Sequence, residues 1–479
     1  MLGFFKFFMY QFETLKNGLS VITVPMSGTK TVTALIVVGT GSKYEDKAKS
    51  GISHFLEHMF FKGTDKRPSA LAISTELDGI GAEYNAFTGK EYTGYWVKTE
   101  PKKIKVALDV VSDMLLQPRL KAEDIEMEKG VIVEELNMYR DNPMMFIEDV
   151  FEQCLYGDTP AGRDTIGTKE TIAAMKPEDF TNYLNSQYTT GNTIICLAGN
   201  IGKLTPRPSF TRGVINYFFA KEEFAGRGKN FKEKEPVVEK QLKPQIKIHY
   251  QKTDQAHLSL GVRAFGYGHQ DRVILKLLAI MLGGSMSSRL FVTLREKHGL
   301  AYYVRAEEEN YTDSGYLTAR AGVPTDKVPL ALKLILNEFE KLKNKPIDAG
   351  ELRKVKDLIH GRFTLQLEAS DNLANWYGRQ AILYQTLGRE GRVDKNIKES
   401  TGKGPKNSSI PPYPSFAKAL EDKQGGEIMT PEKFLKQIEK VTVRDIKRVA
   451  NDIFKNDRLN LAVIGPFKGG GEFNKLLKL

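Results

Sequence analysis

The chain has 479 residues, of which 41% are hydrophobic, and a formal net charge of +11. This length suits two to four domains, and the composition is that of a globular protein with large cores. Two cysteines, Cys154 and Cys196, are too few for a disulfide scaffold or a cysteine-based zinc site. The positive charge raises nucleic acid as a partner, but the lysines alternate with acids, as in residues 229–243. That pattern indicates a solvated surface, and we expect no nucleic-acid partner.

The first ten residues, MLGFFKFFMY, are mostly apolar. They are too few to span a membrane, and they lack the basic segment and the small-residue cleavage site of a signal peptide. We therefore expect a cytoplasmic protein without a membrane span, in which Met9 is an alternative start to Met1.

A short buried helix is predicted for the segment GISHFLEHMFFKGT, residues 51–64, because apolar side chains occupy nearly every side of its helical wheel. Ser50 is the expected N-cap, since its hydroxyl can accept hydrogen bonds from the unpaired N–H groups of the first turn. Gly63 is the expected end of the helix, because glycine adopts the left-handed conformation without steric strain.

His54, Glu57 and His58 share one face of this helix, since positions three and four apart lie over each other. Ionisable groups buried together destabilise a core unless something pairs with them. Two neutral imidazoles four residues apart can both reach one Zn²⁺ ion, and the glutamate beside them can reach a water on that ion. The motif is H-x-x-E-H, the inverse of the usual H-E-x-x-H. The alternative is a pair of core histidines beside a glutamate in a salt bridge.

Residues 82–88 (AEYNAFT) predict a β-strand whose even-numbered residues, ending at Thr88, face one side. As an edge strand it could bind a peptide by β-augmentation, in which backbone hydrogen bonds give affinity for almost any sequence. The alternative is an ordinary sheet strand with polar residues on its surface.

A longer helix is predicted for residues 121–140, which combine strong helix formers with apolar residues at helical spacing. Glu128 and Glu135 lie seven residues apart on this helix and therefore share one stripe. The run from Val131 to Val133 makes the helix apolar most of the way round, so we expect it to be buried. Acids in a buried helix again need a cation, and the alternative partners are the many lysines of the chain.

The chain also repeats one pattern of elements. Residues 177–201 and 443–467 each contain a helix, a polar turn, an apolar strand and a glycine, with matched positions 266 apart. Residues 31–39 and 256–264 both predict a strand that leads into a turn. Repeats at this scale indicate two copies of one α/β unit.

Between the two copies lies a stretch rich in Gly, Lys and Glu, with two prolines. We therefore divide the chain into a first domain at residues 9–225, a linker at 226–245 and a second domain at 246–479. The proline-rich residues 396–427 are long enough to form an exposed insertion or a functional loop.

The motif at His54–His58 and the phrase EKGVIVEE, which ends at Glu135, resemble the pitrilysin family of inverted-motif zinc peptidases. That family includes insulin-degrading enzyme and the β subunit of the mitochondrial processing peptidase. This chain resembles its short, two-domain members of the processing-peptidase type, and residues 81–99, 160–167 and 281–304 match the family as well. The resemblance implies an α+β fold of two similar domains, each a mainly antiparallel β-sheet packed with helices.

The resemblance also implies one zinc ion per chain, with His54, His58 and Glu135 as its ligands. Glu135 lies 77 residues after His58, within the spacing that the family shows. Glu134 is the competing choice, and we prefer Glu135 because it shares the face of Glu128. In the family, the residue that matches Glu128 supports the site without being a primary ligand. The second domain carries no H-x-x-E-H motif, so we expect it to lack a metal site.

Other roles follow from the same resemblance. Glu57 is the implied general base, which takes a proton from water and hands it to the leaving amine. Asn85 and Ala86 stand at the substrate-contacting positions of the family's edge strand. Arg295 and Tyr302, seven residues apart, match an Arg and a Tyr that reach the bound peptide and the developing oxyanion. Without the resemblance, a surface arginine and a core tyrosine would be the simpler interpretation.

These residues predict a zinc-dependent endopeptidase that hydrolyses unfolded peptides or short polypeptides inside a clamshell chamber. Longer family members carry four such domains in one chain, with the metal site in the first and the Arg/Tyr pair in the fourth. Two copies of this chain would restore that set, so we expect a homodimer, or a heterodimer with a related chain, with sites built in trans. The alternative is a non-catalytic core or assembly subunit of the same fold, although such subunits tend to lose the metal ligands that this chain keeps.

Overall fold

The computed structural model describes residues 10–201, 208–219, 221–228, 231–391 and 428–479. The proposed insertion at 396–427 and the alternative start at Met9 lie outside these residues.

The chain divides into two compact units, and each unit is assembled from three separate segments. The segments of the first unit are Met1–Glu134, Asp164–Glu235 and Phe363–Lys433, and those of the second are Glu135–Arg163, Pro236–Arg362 and Phe434–Leu479. The compact units are therefore interleaved along the chain. The domain bounds 9–225, 226–245 and 246–479 stay a prediction about chain order.

The first unit is built on a six-stranded sheet. Its strands are β1 (Gln11–Thr14), β2 (Ser20–Pro25), β3 (Val32–Val38), β4 (Glu83–Thr88), β5 (Thr93–Thr99) and β6 (Thr193–Gly199). The strand order is β1-β2-β6-β3-β5-β4, and every neighbouring pair is antiparallel except β2 and β6. Strand β4 therefore lies at an edge of this sheet.

The second unit is built on a five-stranded sheet. Its strands are β7 (Gln245–Tyr250), β8 (Gln255–Arg263), β9 (Val304–Asn310), β10 (Gly315–Pro324) and β11 (Leu459–Gly465). The order β7-β11-β8-β10-β9, with one parallel pair between β7 and β11, repeats the order β2-β6-β3-β5-β4 of the first sheet. The predicted repeat, and the α+β fold of two mainly antiparallel sheets packed with helices, are confirmed.

The α-helices are numbered in chain order over the described residues. They are α1 (Ile52–Phe60), α2 (Ala70–Gly79), α3 (Ile104–Leu116), α4 (Ala122–Asp141), α5 (Pro143–Tyr156), α6 (Lys169–Ala174), α7 (Pro177–Gln187), α8 (Pro208–Phe219), α9 (Glu222–Ala225), α10 (Arg272–Gly283), α11 (Val328–Asn344), α12 (Ala349–Gln366), α13 (Ser370–Arg389), α14 (Pro431–Lys440), α15 (Val443–Ile453) and α16 (Gly471–Asn474). A π-helix spans Phe291–Lys297. Within the described residues, none of these helices has both the length and the hydropathy needed to cross a membrane.

Strand β3 is buried along its whole length because helices cover both faces of the first sheet. On one face, Leu35 and Val37 lie directly against Gly378 of α13. On the other face, Tyr95 of β5 makes an edge-to-face contact with Phe60 of α1, with 5.3 Å between the ring centroids. A nearly continuous apolar strand is what two such helical layers require. Helix α1 also packs on the edge strand β4, and this contact positions the site described below.

Each unit takes one long helix from the other half of the chain. Helix α13 packs on β3 and β6 of the first sheet, although it follows the second sheet's strands β7–β10 in the chain. Helix α5 packs on β7, β8 and β11 of the second sheet, and its residues Ile147, Val150 and Phe151 belong to that core. The repeat in the sequence orders the elements but does not indicate this exchange.

Candidate metal centre

Helix α1 begins differently from the sequence prediction, which placed its N-cap at Ser50. The N-cap is Gly51, with φ +95°, and no side chain caps the helix from that position. The buried carboxylate of Glu45 instead accepts hydrogen bonds from the N–H groups of Gly51 at 2.7 Å and Ser53 at 2.8 Å. The partial positive charge of the helix N-terminus favours an acidic side chain there, although burial opposes the ionised form of Glu45. At the other end, the helix ends at Phe60 with Phe61 as its C-cap, so the predicted end at Gly63 is wrong, although Gly63 does have a positive φ of +131°.

His54, His58 and Glu135 come together in space. One ligand atom from each of the three residues lies within 4.8 Å of the other two. Among the described residues, this is the one group of three or more His, Cys, Asp or Glu side chains that could hold a metal ion. The two imidazole ring centroids are 4.7 Å apart. Glu135 lies on α4 and is half-buried. The first segment of the first unit ends at Glu134, so Glu135 is the next residue on the same continuous helix. Glu134, the competing choice, is exposed and is not part of this group.

Glu128 orients one of the two imidazoles. Its side chain is 3% exposed, and it accepts a hydrogen bond from His58 Nδ1 at 2.9 Å and pairs with Lys62. Burial alone would raise the pKa of Glu128, but the hydrogen bonds from His58 and Lys62 outweigh burial and hold that pKa below its usual range. An ionised carboxylate can only accept, so His58 Nδ1 carries the proton and Nε2 keeps the lone pair that a metal ligand needs.

The donor set of this site fits a zinc ion. Two imidazoles and one carboxylate are the three protein ligands typical of a catalytic zinc site, which keeps a further position for water or substrate. A carboxylate that fixes the tautomer of a ligating histidine is the usual outer partner in such sites. His54, His58 and Glu135 would therefore be the ligands, and Glu128 the outer partner.

Glu57 lies on α1 between the two histidines and is half-buried. The hydroxyl of Thr88, the last residue of β4, donates to its Oε2 at 2.5 Å. The hydroxyls of Tyr95 and Tyr188 share a hydrogen bond of 2.8 Å. Burial is the largest cause that raises the pKa of both phenols above the usual value, and the nearby charge of Glu57 adds to it. Both tyrosines are therefore neutral at physiological pH.

Comparison with known proteins identifies the family. Residues 20–169 match the model described as insulinase (peptidase family M16), and residues 174–359 match the model described as peptidase M16 inactive domain. A Bacillus subtilis protein named as an uncharacterised zinc protease is 34% identical over 386 residues, which cover 81% of this chain and 90% of the relative. The chain belongs to peptidase family M16, the insulinase family. A Streptomyces coelicolor relative, also named as an uncharacterised zinc protease, is 30% identical over 461 residues and covers 95% of this M16 chain and 89% of its own.

Two solved structures share the fold. A protease from Helicobacter pylori superposes with a TM-score of 0.78 at 22% identity, covering 96% of this chain and all of that chain (100%). A structure from Pseudomonas fluorescens, described as a peptidase M16 inactive domain, superposes with a TM-score of 0.76 at 18% identity and covers 96% of this chain and 98% of its own. At these identities the superpositions establish the family M16 fold alone.

Asn85 and Ala86 of this M16 chain lie on β4, the edge strand of the first sheet. Asn85 is exposed, and its side-chain oxygen accepts a hydrogen bond from the N–H of Ala86 at 2.8 Å. The edge position on which the predicted peptide binding depends is therefore present. The contact of these two residues with a substrate stays a prediction.

Arg295 and Tyr302 contact each other in the second unit. Arg295 Nη1 donates to the carbonyl of Tyr302 at 2.9 Å, and its guanidinium lies 5.2 Å from the centroid of the tyrosine ring. Tyr302 is 79% exposed, so the simpler interpretation as a core tyrosine is wrong. Arg295 belongs to the π-helix Phe291–Lys297, and such helices are frequent at functional sites.

Helix α4 is buried on one side only, which corrects the expectation of a buried helix that is apolar most of the way round. The buried face is formed by Ile125, Glu128, Ile132 and Leu136. Met127 is 73% exposed and Val131 is 49% exposed, although both are apolar. Glu128 therefore lies inside the protein, whereas Glu135 lies at the margin of the buried face, where a ligand can be reached from solvent.

Three residues of the site were missed by sequence reasoning, namely Glu45, Lys62 and Thr88. Lys62 lies four residues after His58, and this spacing is a signal that could have identified it. Glu45 and Thr88 reach α1 from a loop and from a strand, and contacts of that kind leave no periodic pattern in the sequence.

Glu45 predicts a pH dependence of stability. Burial raises its pKa from 4.5 to about 7, although the N–H groups of Ser53 and Gly51 act to lower it. Between these two pH values the unfolded chain releases a proton that the folded protein keeps, so the free energy of unfolding should fall as pH rises. The expected loss is about 3 kcal/mol, most of it between pH 4.5 and pH 7, and it is complete above about pH 7. Urea unfolding of wild type and Glu45→Gln, with chelator present, should show their difference in stability changing by this amount across the window.

The glutamine side chain in Glu45→Gln has no ionisable proton, so the pH dependence of this variant reports all the other ionisable groups. The difference between wild type and this variant therefore isolates the contribution of Glu45. A stability difference between wild type and Glu45→Gln that stays constant from pH 4.5 to pH 7.5 would show that Glu45 ionises normally in the folded protein.

Proposed function

We propose that this family M16 chain is a zinc endopeptidase that hydrolyses unfolded peptides or short polypeptides. The observation that carries the proposal is the grouping of His54, His58 and Glu135, with Glu57 on the same helix as the two histidines. The relatives in Bacillus subtilis and Streptomyces coelicolor are named zinc proteases, which supports the same chemistry here.

The side chains of the site divide the chemistry among them. His54, His58 and Glu135 would hold one zinc ion per chain, which when bound supplies the Lewis acidity that activates a water and polarises a peptide carbonyl. Glu57 accepts the proton of the attacking water and then donates it to the leaving amine, so one carboxylate acts as base and as acid. Glu128 keeps the His58 ring in the required tautomer through its bond to Nδ1.

The edge of β4 is the proposed place for the peptide. An extended peptide there would form backbone hydrogen bonds to the strand, with Asn85 and Ala86 as contacts. A folded polypeptide already uses its backbone groups internally, so this mode of binding selects unfolded segments. It gives affinity without demanding a particular sequence.

The active unit is proposed to be a dimer that encloses a clamshell chamber. In the longer proteins that this chain resembles, the metal site and the Arg/Tyr pair come from different domains. Arg295 and Tyr302 of one protomer would therefore serve the zinc site of its partner, where the guanidinium and the phenol can stabilise the oxyanion. A twofold arrangement gives two equivalent sites. A heterodimer with a related chain would use the same geometry.

Mixing two inactive variants tests whether sites are shared between protomers. Glu57→Gln and the double variant Arg295→Ala/Tyr302→Phe should each be inactive alone. After subunit exchange, a mixed dimer has one site with both defects and one site with neither. Activity on a quenched peptide should therefore reappear, up to about one quarter of the wild-type rate per protomer, because about half of the protomers enter mixed dimers.

Exchange is verified by native mass spectrometry with one variant isotopically labelled. An inactive mixture with confirmed exchange, or a wild-type enzyme that is active as a strict monomer, would contradict the proposal that sites are built in trans.

Zinc analysis together with a peptide-library digest distinguishes the peptidase from the alternative assembly subunit. The peptidase should contain about one zinc ion per chain and lose cleavage on treatment with a chelator. An intact protein without zinc and without cleavage would support a non-catalytic subunit of the same fold.

A further inference from the structure

The segment Gly41–Glu45 holds the turn between β4 and β5 in a fixed place. The N–H of Ser42 donates to the carbonyl of Gly89 at 3.2 Å, and the N–H of Lys43 donates to the carbonyl of Lys90 at 2.9 Å. Two successive backbone hydrogen bonds fix both the distance and the orientation of the turn relative to this segment.

Side chains and a close approach strengthen the same contact. A Cβ atom at Gly41 would lie 2.1 Å from the carbonyl oxygen of Gly89, so only glycine allows the two backbones to meet. Lys43 and Glu91, both buried, form an ion pair at 2.9 Å. Breaking one partner of a buried pair leaves an uncompensated charge, so this contact resists displacement.

The same segment also fixes the start of helix α1. Glu45, at its end, accepts the hydrogen bonds from Gly51 and Ser53 that cap this helix. The helix that carries Glu57 and the turn that follows Thr88 are therefore anchored to one short piece of backbone.

Thr88 joins these two anchored parts directly. It is the last residue of β4, half-buried, and its hydroxyl donates to Oε2 of Glu57 at 2.5 Å. Threonine is branched at Cβ and has few χ1 rotamers, so the position of its hydroxyl follows from the position of its backbone. A hydrogen bond to a charged carboxylate is also stronger than one between neutral groups.

We infer that Thr88 is a positioning residue for Glu57. Because Oε2 of Glu57 accepts the hydrogen bond from Thr88, the Glu57 carboxylate keeps one orientation. In this orientation its other oxygen, Oε1, serves as the proton acceptor. This inference rests on the proposed function of Glu57 as general base. Thr88 also ends β4, the edge strand along which the peptide is proposed to bind. The strand that binds the peptide therefore also orients Glu57, the proposed general base.

Three variants test the inference on the full-length, zinc-loaded protein. Thr88→Val keeps the shape of the side chain but removes the donor, and kcat should fall about 10- to 100-fold while KM stays within about twofold. Thr88→Ser keeps the donor and should retain most of kcat. Thr93→Val is the matched control for the loss of a threonine hydroxyl in the same hairpin, because Thr93 is opposite Thr88 and its hydroxyl bonds to the carbonyl of Thr40 and to Tyr188 rather than to Glu57.

A second readout does not depend on turnover. In protein labelled with ¹³C at the glutamate carboxyl carbons, the Glu57 resonance is assigned by its absence in Glu57→Gln. Thr88→Val should shift this resonance, whereas Thr88→Ser and Thr93→Val should leave it near its original position. Zinc content and the affinity for peptide, measured in the Glu57→Gln background, should not change on adding Thr88→Val.

The outcomes separate the inference from the function on which it rests. An unchanged kcat in Thr88→Val, an equal loss in Thr93→Val, or a loss of zinc in Thr88→Val would each overturn the positioning role. A zinc-loaded wild-type protein that cleaves no peptide would overturn the proposed function and this inference together. In that case the Glu57 resonance would still report whether the contact with Thr88 exists.

Discussion

Replacing Glu57 by glutamine is expected to lower kcat by about 100- to 10,000-fold while zinc and peptide still bind. The amide is nearly isosteric with the carboxylate, and its oxygen can still accept the hydrogen bond from Thr88. It cannot take a proton from water, so the chemical step loses its base. The measurements are kcat and KM on a quenched peptide, zinc content by atomic absorption, and peptide affinity by fluorescence anisotropy.

Glu126→Gln is a suitable control for this variant, because Glu126 is an exposed glutamate on α4 that pairs with Lys129 on the surface. Its turnover should equal that of the wild type. Turnover retained in Glu57→Gln would mean that another group accepts the proton.

Replacing His58 by phenylalanine is expected to remove both zinc and activity. The phenylalanine ring is similar in size to the imidazole but has no nitrogen to bind the metal. Glu128 also loses the hydrogen bond of 2.9 Å that it accepts from His58 Nδ1. Loss of the Lewis acid removes several kcal/mol of transition-state stabilisation, so activity should fall by at least about 1000-fold. Zinc should be absent after dialysis against metal-free buffer, as measured by mass spectrometry.

The choice of the third ligand is tested by a matched pair on one helix. Glu135→Gln should lose zinc, because Glu135 lies within 4.8 Å of both histidine ligand atoms. Glu134→Gln alters the neighbouring glutamate, which is exposed, and should keep its zinc. The reverse pattern would show that the ligand assignment is wrong.

The pairing of site residues within each helix could be predicted from the sequence because it depends on local periodicity. Helical spacing places His54 beside His58 on α1, and the same spacing places Glu128 near Glu135 on α4. Bringing the two helices together was predicted from resemblance to a family, since no property of either segment specifies the other. In the structure, the hydrogen bond between His58 of α1 and Glu128 of α4 links the two helices.

The contacts that were not predicted come from segments without a regular pattern. The sequence predicts the cap of α1 at Ser50, but the buried side chain of Glu45, in a preceding loop, accepts hydrogen bonds from the N–H groups of the first turn instead. The sequence predicts that Val131 is buried, but it is 49% exposed. An apolar side chain can occupy an exposed position when its helix packs on one side only.

The architecture was predictable to a similar depth. Repeated strands and glycines in both halves indicated one topology used twice, and the two sheets share their strand order. Which sheet a helix covers was not predictable, because an amphipathic pattern shows that a helix has an apolar face without showing which surface that face contacts.

The exchange of α5 and α13 between the units has a consequence for synthesis. A chain leaving the ribosome has made all strands of the first sheet by Gly199, yet the helix that lies against Leu35 and Val37 is complete only at Arg389. During that interval the nascent chain carries an apolar surface that its own later residues must cover, the kind of state in which chaperones and aggregation compete. Cutting the chain at residues 226–245 would likewise yield two fragments, each holding a helix that belongs to the core of the other.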